Sequence, residues 1–199
     1  VSGLLDQAIW SNLDPRTGLD KNGHETNSLS FIHNGVDLIQ QSLPVKYLDP
    51  KYEVTLYSNR VGKSTNSGFV KNDLFNNTWG DAIVNPRMYV DSCFSLVTET
   101  IFDYPYTFRT EKIWKPMIMQ HPFVVAANTG YYRDLHSAGF RTFGHLIDER
   151  FDSIDNSQDR INRIVDVVSD ICYNGAGHFL EAAADVCKYN YQHLREHNR

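Results

Sequence analysis

Three cysteines in 199 residues, Cys93, Cys172 and Cys187, are too few and too scattered for a disulfide framework, and without a CxxC pair they make no zinc knuckle. A reducing compartment, the cytoplasm, is therefore expected. Basic charge is equally scarce. The 19 Lys and Arg residues face 24 Asp and Glu, for a net charge of -5, so there is no positive field with which to grip a nucleic acid. Any anion that binds must be met by a few local groups. No apolar run approaches the roughly 18 residues of a membrane span. The opening residues have neither a basic start nor an apolar stretch, so neither a membrane span nor a visible signal peptide is expected. The eight histidines never fall into HxH or HExxH spacing, and this argues against zinc hydrolysis. Because the chain begins at Val1 instead of Met, a fragment or a trimmed product is expected.

What is present is enough apolar material, 41% hydrophobic and 13% aromatic, to bury one sizeable core plus an appendage. Residues 1–85 are rich in Asn, Asp, Ser and Gly and read as an irregular N-terminal region. Within it, residues 36–43 have the length of two helical turns before Pro44, residues 51–59 alternate as a strand, and residues 62–80 form a long loop. From Pro86 the texture changes to strands alternating with helices. Met88 to Glu99 is β-prone with a break at Asp91-Ser92. Thr110 caps a helix running to Gln120, with Glu111 on its dipole. Pro122 to Ala127 is a buried strand. Thr129 caps a short helix that Gly139 ends, and Phe140 to Ile147 begins as another strand or turn.

Ser157 then caps an amphipathic helix with Ile161, Ile164, Val165, Val168 and Ile171 on its apolar stripe. Gly175 and Gly177 separate it from a last helix starting near His178. Alternation of this kind means an α/β domain over residues 86–199, with a mostly parallel sheet and flanking helices. Ligands of such sheets bind where strand ends lead into helix starts. Two junctions qualify: the turn ending at Thr110 and the turn Asn128-Thr129-Gly130, each expected to offer backbone N–H groups to an anion.

The first junction also carries charge. Arg109, Lys112 and Lys115 surround one helix start, and a diphosphate leaving group needs such cations as negative charge builds on it. Glu111 is suited to accept hydrogen bonds from sugar hydroxyls, and Glu99 lies at the preceding strand end.

The order Thr98-Glu99, a short loop, Phe108-Arg109-Thr110-Glu111-Lys112 and then Pro122-Phe123-Val124-Val125 resembles the donor-binding half of GT-B-type glycosyltransferases. It is most similar to the α1,3-fucosyltransferase family and to related bacterial and viral transferases, in which a Tyr-x-Thr-Glu-Lys helix start follows a Glu-Asn-Ser strand end. Gly139-Phe140, Thr142-Phe143 and Ile147-Asp148-Glu149 with Phe151-Asp152 also look like that wider group, so the likeness spans residues 88–195. It implies a Rossmann-like fold of the GT-B C-terminal-domain type and transfer of a sugar from a nucleoside-diphosphate sugar to a glycan or other hydroxyl acceptor. The donor would be held by Glu99, Arg109, Thr110, Glu111, Lys112 and Lys115. It also implies that protein cations serve in place of a metal, and no cofactor beyond the donor itself is expected. The chain departs from the family in reading Val-Thr-Glu-Thr at the strand end and Phe108 at the aromatic position, which leaves sugar and nucleotide open.

Plainer readings stand beside these. Thr-Glu-x-x-x-Lys is ordinary helix-start grammar. Arg109 reads equally as a solvated loop charge. Asp148, Glu149 and Asp152 read as an acidic surface turn before a metal cluster, His121 as structural, and Trp114 and Phe123 as core before nucleobase platforms. No general base stands out among Asp14, Glu25 and Asp37, and residues 1–85 read as a remnant of an acceptor domain. The second functional expectation is accordingly a non-catalytic structural or binding protein, virion- or surface-associated, that retains the donor-domain fold.

Overall fold

The computed structural model describes residues 4–9, 49–52 and 84–197. The helix expected over 36–43, the long loop over 62–80, and Asp14, Glu25 and Asp37 lie outside them. The chain divides into two compact units, Val1–Met88 and Tyr89–Arg199. In the first, the strand expected from Lys51 does not begin there. Pro50–Tyr52 is a 3-10 turn, because Asp49 accepts from the Lys51 amide through its side chain (3.0 Å) and from the Tyr52 amide through its carbonyl (2.8 Å). This local competition is what Asp offers a turn.

The β-prone stretch Met88 to Glu99 divides differently from expectation. Its start belongs to a helix, α1 (Pro86–Val90). Pro86 fits the first helical position, and the Asn85 side chain accepts from the Arg87 amide at 3.0 Å, a helix-start arrangement that overrides the strand propensity of Tyr89 and Val90. The strand, β1 (Ser95–Thr98), follows the break. It pairs in parallel with β2 (Phe123–Ala126), Ser95 opposite Phe123 and Thr98 opposite Ala126. Every residue of β2 is buried, as the run Phe-Val-Val-Ala suits a strand covered on both faces. Each of its large side chains contributes on the order of 1.5–3 kcal/mol by leaving water.

Between the strands lies α2 (Glu111–Ile118), which Thr110 caps as expected. Its exit is a Schellman turn. The Gln120 amide donates to the Met117 carbonyl (3.2 Å) and the His121 amide to the Pro116 carbonyl (2.9 Å), and Gln120 takes a left-handed φ of 51° to do so. After β2 comes α3 (Tyr131–Ser137). Gly139 closes it as expected, with φ 86° and the paired bonds from Phe140 to Leu135 and from Gly139 to His136. Its cap, however, is Gly130 rather than Thr129. The Thr129 hydroxyl is drawn away to the Ile154 carbonyl at 3.0 Å.

Residues 140–143 are irregular and 144–146 a turn, with no strand. Glu149–Ser153 is a 3-10 turn capped by Asp148, and α4 (Ser157–Ala182) is capped by Asn156 one residue earlier than expected. Gly175 (φ 111°, ψ 89°) does interrupt α4, but helix resumes at once, and the last helix, α5 (Ala184–His197), starts later than His178. The buried stripe of α4 is Arg160, Ile164, Val167 and Ile171, while Val165 is exposed.

Among the described residues the sheet has two strands, with helices packed around them, so the α/β class holds while a larger parallel sheet is not seen. One reason is chemical. The amide of Val125 donates to the buried Tyr132 hydroxyl at 2.9 Å, so a side chain takes the place of a further strand at that position. The last helix, α5, docks through buried Asn190, whose amide exchanges two 2.8 Å bonds with the backbone of Arg141.

Candidate functional site

β1 and β2 run in parallel, so both carboxyl ends lie at one edge, and each feeds a loop and then a helix start. Glu99, the first residue past β1, is 7% exposed. Its carboxylate accepts from the Thr110 amide (3.2 Å), the Thr110 hydroxyl (2.6 Å) and the Tyr131 hydroxyl (2.6 Å). One carboxylate therefore ties the end of β1 to the cap of α2 and to the first residue of α3. Burial above all, reinforced by the bond to Glu99, pushes the Tyr131 phenol far above its ordinary range, so it stays a donor. Thr110 uses its hydroxyl twice, donating to Glu99 and accepting from the Lys112 amide at 3.3 Å. Both residues are engaged in building the helix start.

The remaining expected site residues are half-buried around that start. The Lys112 ammonium donates to the Thr100 hydroxyl at 2.5 Å, reaching back over the end of β1. An ammonium has three N–H donors, and Lys112 meets no carboxylate within ion-pair distance among the described residues. Arg109 is no free loop charge: it pairs with Asp134 at 2.6 Å and lies beside the Trp114 ring at 5.9 Å. Glu111 occupies the first turn of α2 and Lys115 the next. Phe108 is largely exposed, as are Tyr104 and Tyr106 of the same loop.

The second junction is different. The Gly130 amide donates to the Asp152 carbonyl (2.8 Å), and the Tyr132 and Arg133 amides donate to the Asp152 carboxylate (2.9 and 3.1 Å). The expectation that Asn128-Thr129-Gly130 offers its N–H groups to an outside anion is corrected here, because the protein supplies that anion itself. The acidic turn of residues 148–152 likewise distributes its carboxylates. Asp148 is chelated by Arg150 (2.8 and 2.6 Å) and met by Arg163, and these bonds, Arg150's first, hold it well below the usual carboxylate range. Glu149 accepts from the Thr142 hydroxyl (2.7 Å) and the Phe143 amide (2.6 Å), while burial pushes its carboxyl up. The three point to separate donors.

His121 lies before β2, buried, and bridges the Ser92 carbonyl (3.0 Å) and the Ser95 hydroxyl (3.0 Å). Burial lowers its pKa, which suits a structural neutral imidazole. Phe123 is core, and Trp114 packs against Phe140 at the core's margin.

Arg160 was not singled out from the sequence. It occupies the first turn of α4, is 2% exposed, and touches the loops that follow both strands. The signal was available: Arg160 is in phase with Ile164, Val167 and Ile171, and a cation on the apolar stripe of a helix is rare unless it is bound to something.

No protein-family profile, curated protein or solved structure matches the chain.

Proposed function

We propose that the carboxyl edge of β1 and β2 binds a nucleoside-diphosphate sugar, and that the chain is the donor-binding part of a GT-B-type, fucosyltransferase-like glycosyltransferase delivering the sugar to an acceptor hydroxyl. The observation that carries this reading is the contrast between the two helix starts. The α3 start is closed by Asp152, whereas the α2 start presents Lys112, whose ammonium has among the described residues a single hydroxyl partner and no carboxylate. A cation with spare donors beside a helix N-terminus at a strand end is where a diphosphate gains most from charge-assisted hydrogen bonds.

In this reading Lys112 neutralises the departing diphosphate, and Arg109, now on Asp134, supplies the second cation. Glu111 accepts from ribose or sugar hydroxyls, and Lys115 adds positive potential one turn on. Glu99 and Thr110 hold the helix start in place. The cations carry the role a metal would otherwise have.

Arg109 pairing with Asp134 favours one second reading, since that arrangement is satisfied without a ligand. It is a non-catalytic protein that retains the donor-domain fold. Titration of GDP- and UDP-sugars separates the cases. A donor at a hundred times its dissociation constant adds about 2.7 kcal/mol of stability, read as a rise in unfolding temperature, and Lys112→Ala removes that rise. Binding without sugar transfer to any acceptor favours the second reading. If no nucleotide stabilises the protein, the donor site is wrong.

A further inference from the structure

We infer that Arg160 is a positioning residue for this edge, a single guanidinium that sets the spacing of the loops after β1 and β2, the first of which leads to the α2 start proposed for the diphosphate. The inference rests on the donor-site reading for its ligand, and on geometry alone for the contacts. Nε donates to the Ala127 carbonyl at 3.1 Å. Nη1 donates to the Ile154 carbonyl (2.7 Å), the Asp155 carbonyl (3.1 Å) and the Thr129 hydroxyl (3.0 Å). Nη2 donates to the Phe102 carbonyl (2.8 Å) and, more weakly, the Ser157 hydroxyl (3.4 Å). The guanidinium also lies over the Phe102 ring, 4.4 Å from its centre.

These acceptors come from three segments that share no ladder. Phe102 is in the loop that leads from β1 to Arg109 and Thr110. Ala127 and Thr129 are in the loop from β2 to Tyr131, the residue that holds Glu99. Ile154 and Asp155 precede α4. A planar fork with five donors reaches all three at once, which a lysine ammonium cannot do. Every partner is an oxygen of a carbonyl or hydroxyl group, and among the described residues no carboxylate lies within ion-pair distance of this buried cation. A desolvated positive charge at a strand edge favours an anionic occupant over a neutral one. Glu99 and Arg160 thus bind the same two loops from opposite chemistries, a carboxylate gathering donors and a guanidinium gathering acceptors.

The test uses Arg160→Lys and Arg160→Ala, with amide hydrogen exchange and calorimetric titration of GDP, UDP, guanosine and uridine. In folded Arg160→Lys, exchange is expected to quicken in residues 101–107 and 127–130. Diphosphate affinity is expected to fall at least about tenfold, with a smaller loss for the nucleosides. In Arg160→Ala, millimolar guanidinium is expected to restore diphosphate affinity, a rescue that Lys112→Ala does not show. If neither variant folds, Thr129→Val removes one acceptor and is expected to give a smaller shift in the same two readouts. Wild-type affinity with unchanged exchange in any folded variant overturns the inference. If the wild-type protein binds no diphosphate, the donor reading fails by itself, and local exchange still decides whether Arg160 sets the loops.

Discussion

The two strand-to-helix junctions of this protein start from the same architecture and end in opposite chemical states. Both follow a parallel strand at one edge of the sheet, and both lead into a helix start. At α3 the chain folds Asp152 back onto the amides of Tyr132 and Arg133. At α2 the carboxylate in reach, Glu99, is spent on the Thr110 cap and Tyr131, and the cation beside it, Lys112, keeps donors to spare. A helix start is a potential anion site only while the protein has not filled it. In the donor-site proposal, ligand binding falls to the open junction, while the filled one serves stability.

The largest expected effect comes from breaking the filled junction. Asp152→Ala leaves two amides without their acceptor and removes a charge from the start of α3, costing about 2–3 kcal/mol. Denaturant unfolding reads the loss, and added phosphate is expected to recover more stability in the variant than in the wild type. If phosphate acts equally on both, Asp152 does not occupy an anion position.

Thr110→Ala is a smaller perturbation. It removes the α2 cap and one donor to Glu99, and about 1–2 kcal/mol of stability is expected to go with them. Nucleotide affinity should fall as well, because Lys112 loses its fixed position. A stability loss with unchanged affinity would separate the cap from the site.

A third perturbation acts at the opposite, amino end of the strands. His121 is buried against Ser92 and Ser95, and its pKa is lowered by that burial from the ordinary 6.5. As pH falls below about 6.5, the unfolded chain takes up the proton before the folded one does. Its contribution is therefore full above that pH and lost as pH drops toward the folded pKa. His121→Gln is expected to flatten this part of the stability profile while leaving nucleotide affinity unaltered. A matching change in affinity would show that the two ends of the strands are coupled.

The parts legible in the sequence are those written locally. Thr110 caps α2, Gly139 ends α3 and Phe123 to Ala126 form a buried strand, each because a short pattern has one cheap solution. At the second junction the expectation failed because a residue distant in sequence intervened. Thr129 lost its cap role to a bond with Ile154, and the free amides at Gly130, Tyr132 and Arg133 were claimed by Asp152. The Tyr132 hydroxyl took a strand amide that pattern alone would leave for another strand. Asn85 and Pro86 turned the start of a β-prone stretch into a helix. For the site, residue types and spacing brought Glu99, Arg109, Thr110, Glu111 and Lys112 to one edge. What spacing could not reveal was the allocation of partners among the described residues: Glu99 and Thr110 to each other, Arg109 to Asp134, and Lys112 to the Thr100 hydroxyl.

That allocation makes Lys112 the most direct test. Calorimetric titration of a nucleoside diphosphate into wild-type protein and Lys112→Ala, with unfolding of both measured in parallel, isolates its role. The expected result is saturable binding to the wild type and a loss of roughly 1.5–3 kcal/mol of binding free energy in the variant, as for a charge-assisted hydrogen bond, with stability changed by less than about 0.5 kcal/mol. Equal affinity in the two proteins, or no binding to either, would contradict the assignment of the α2 junction as the donor site.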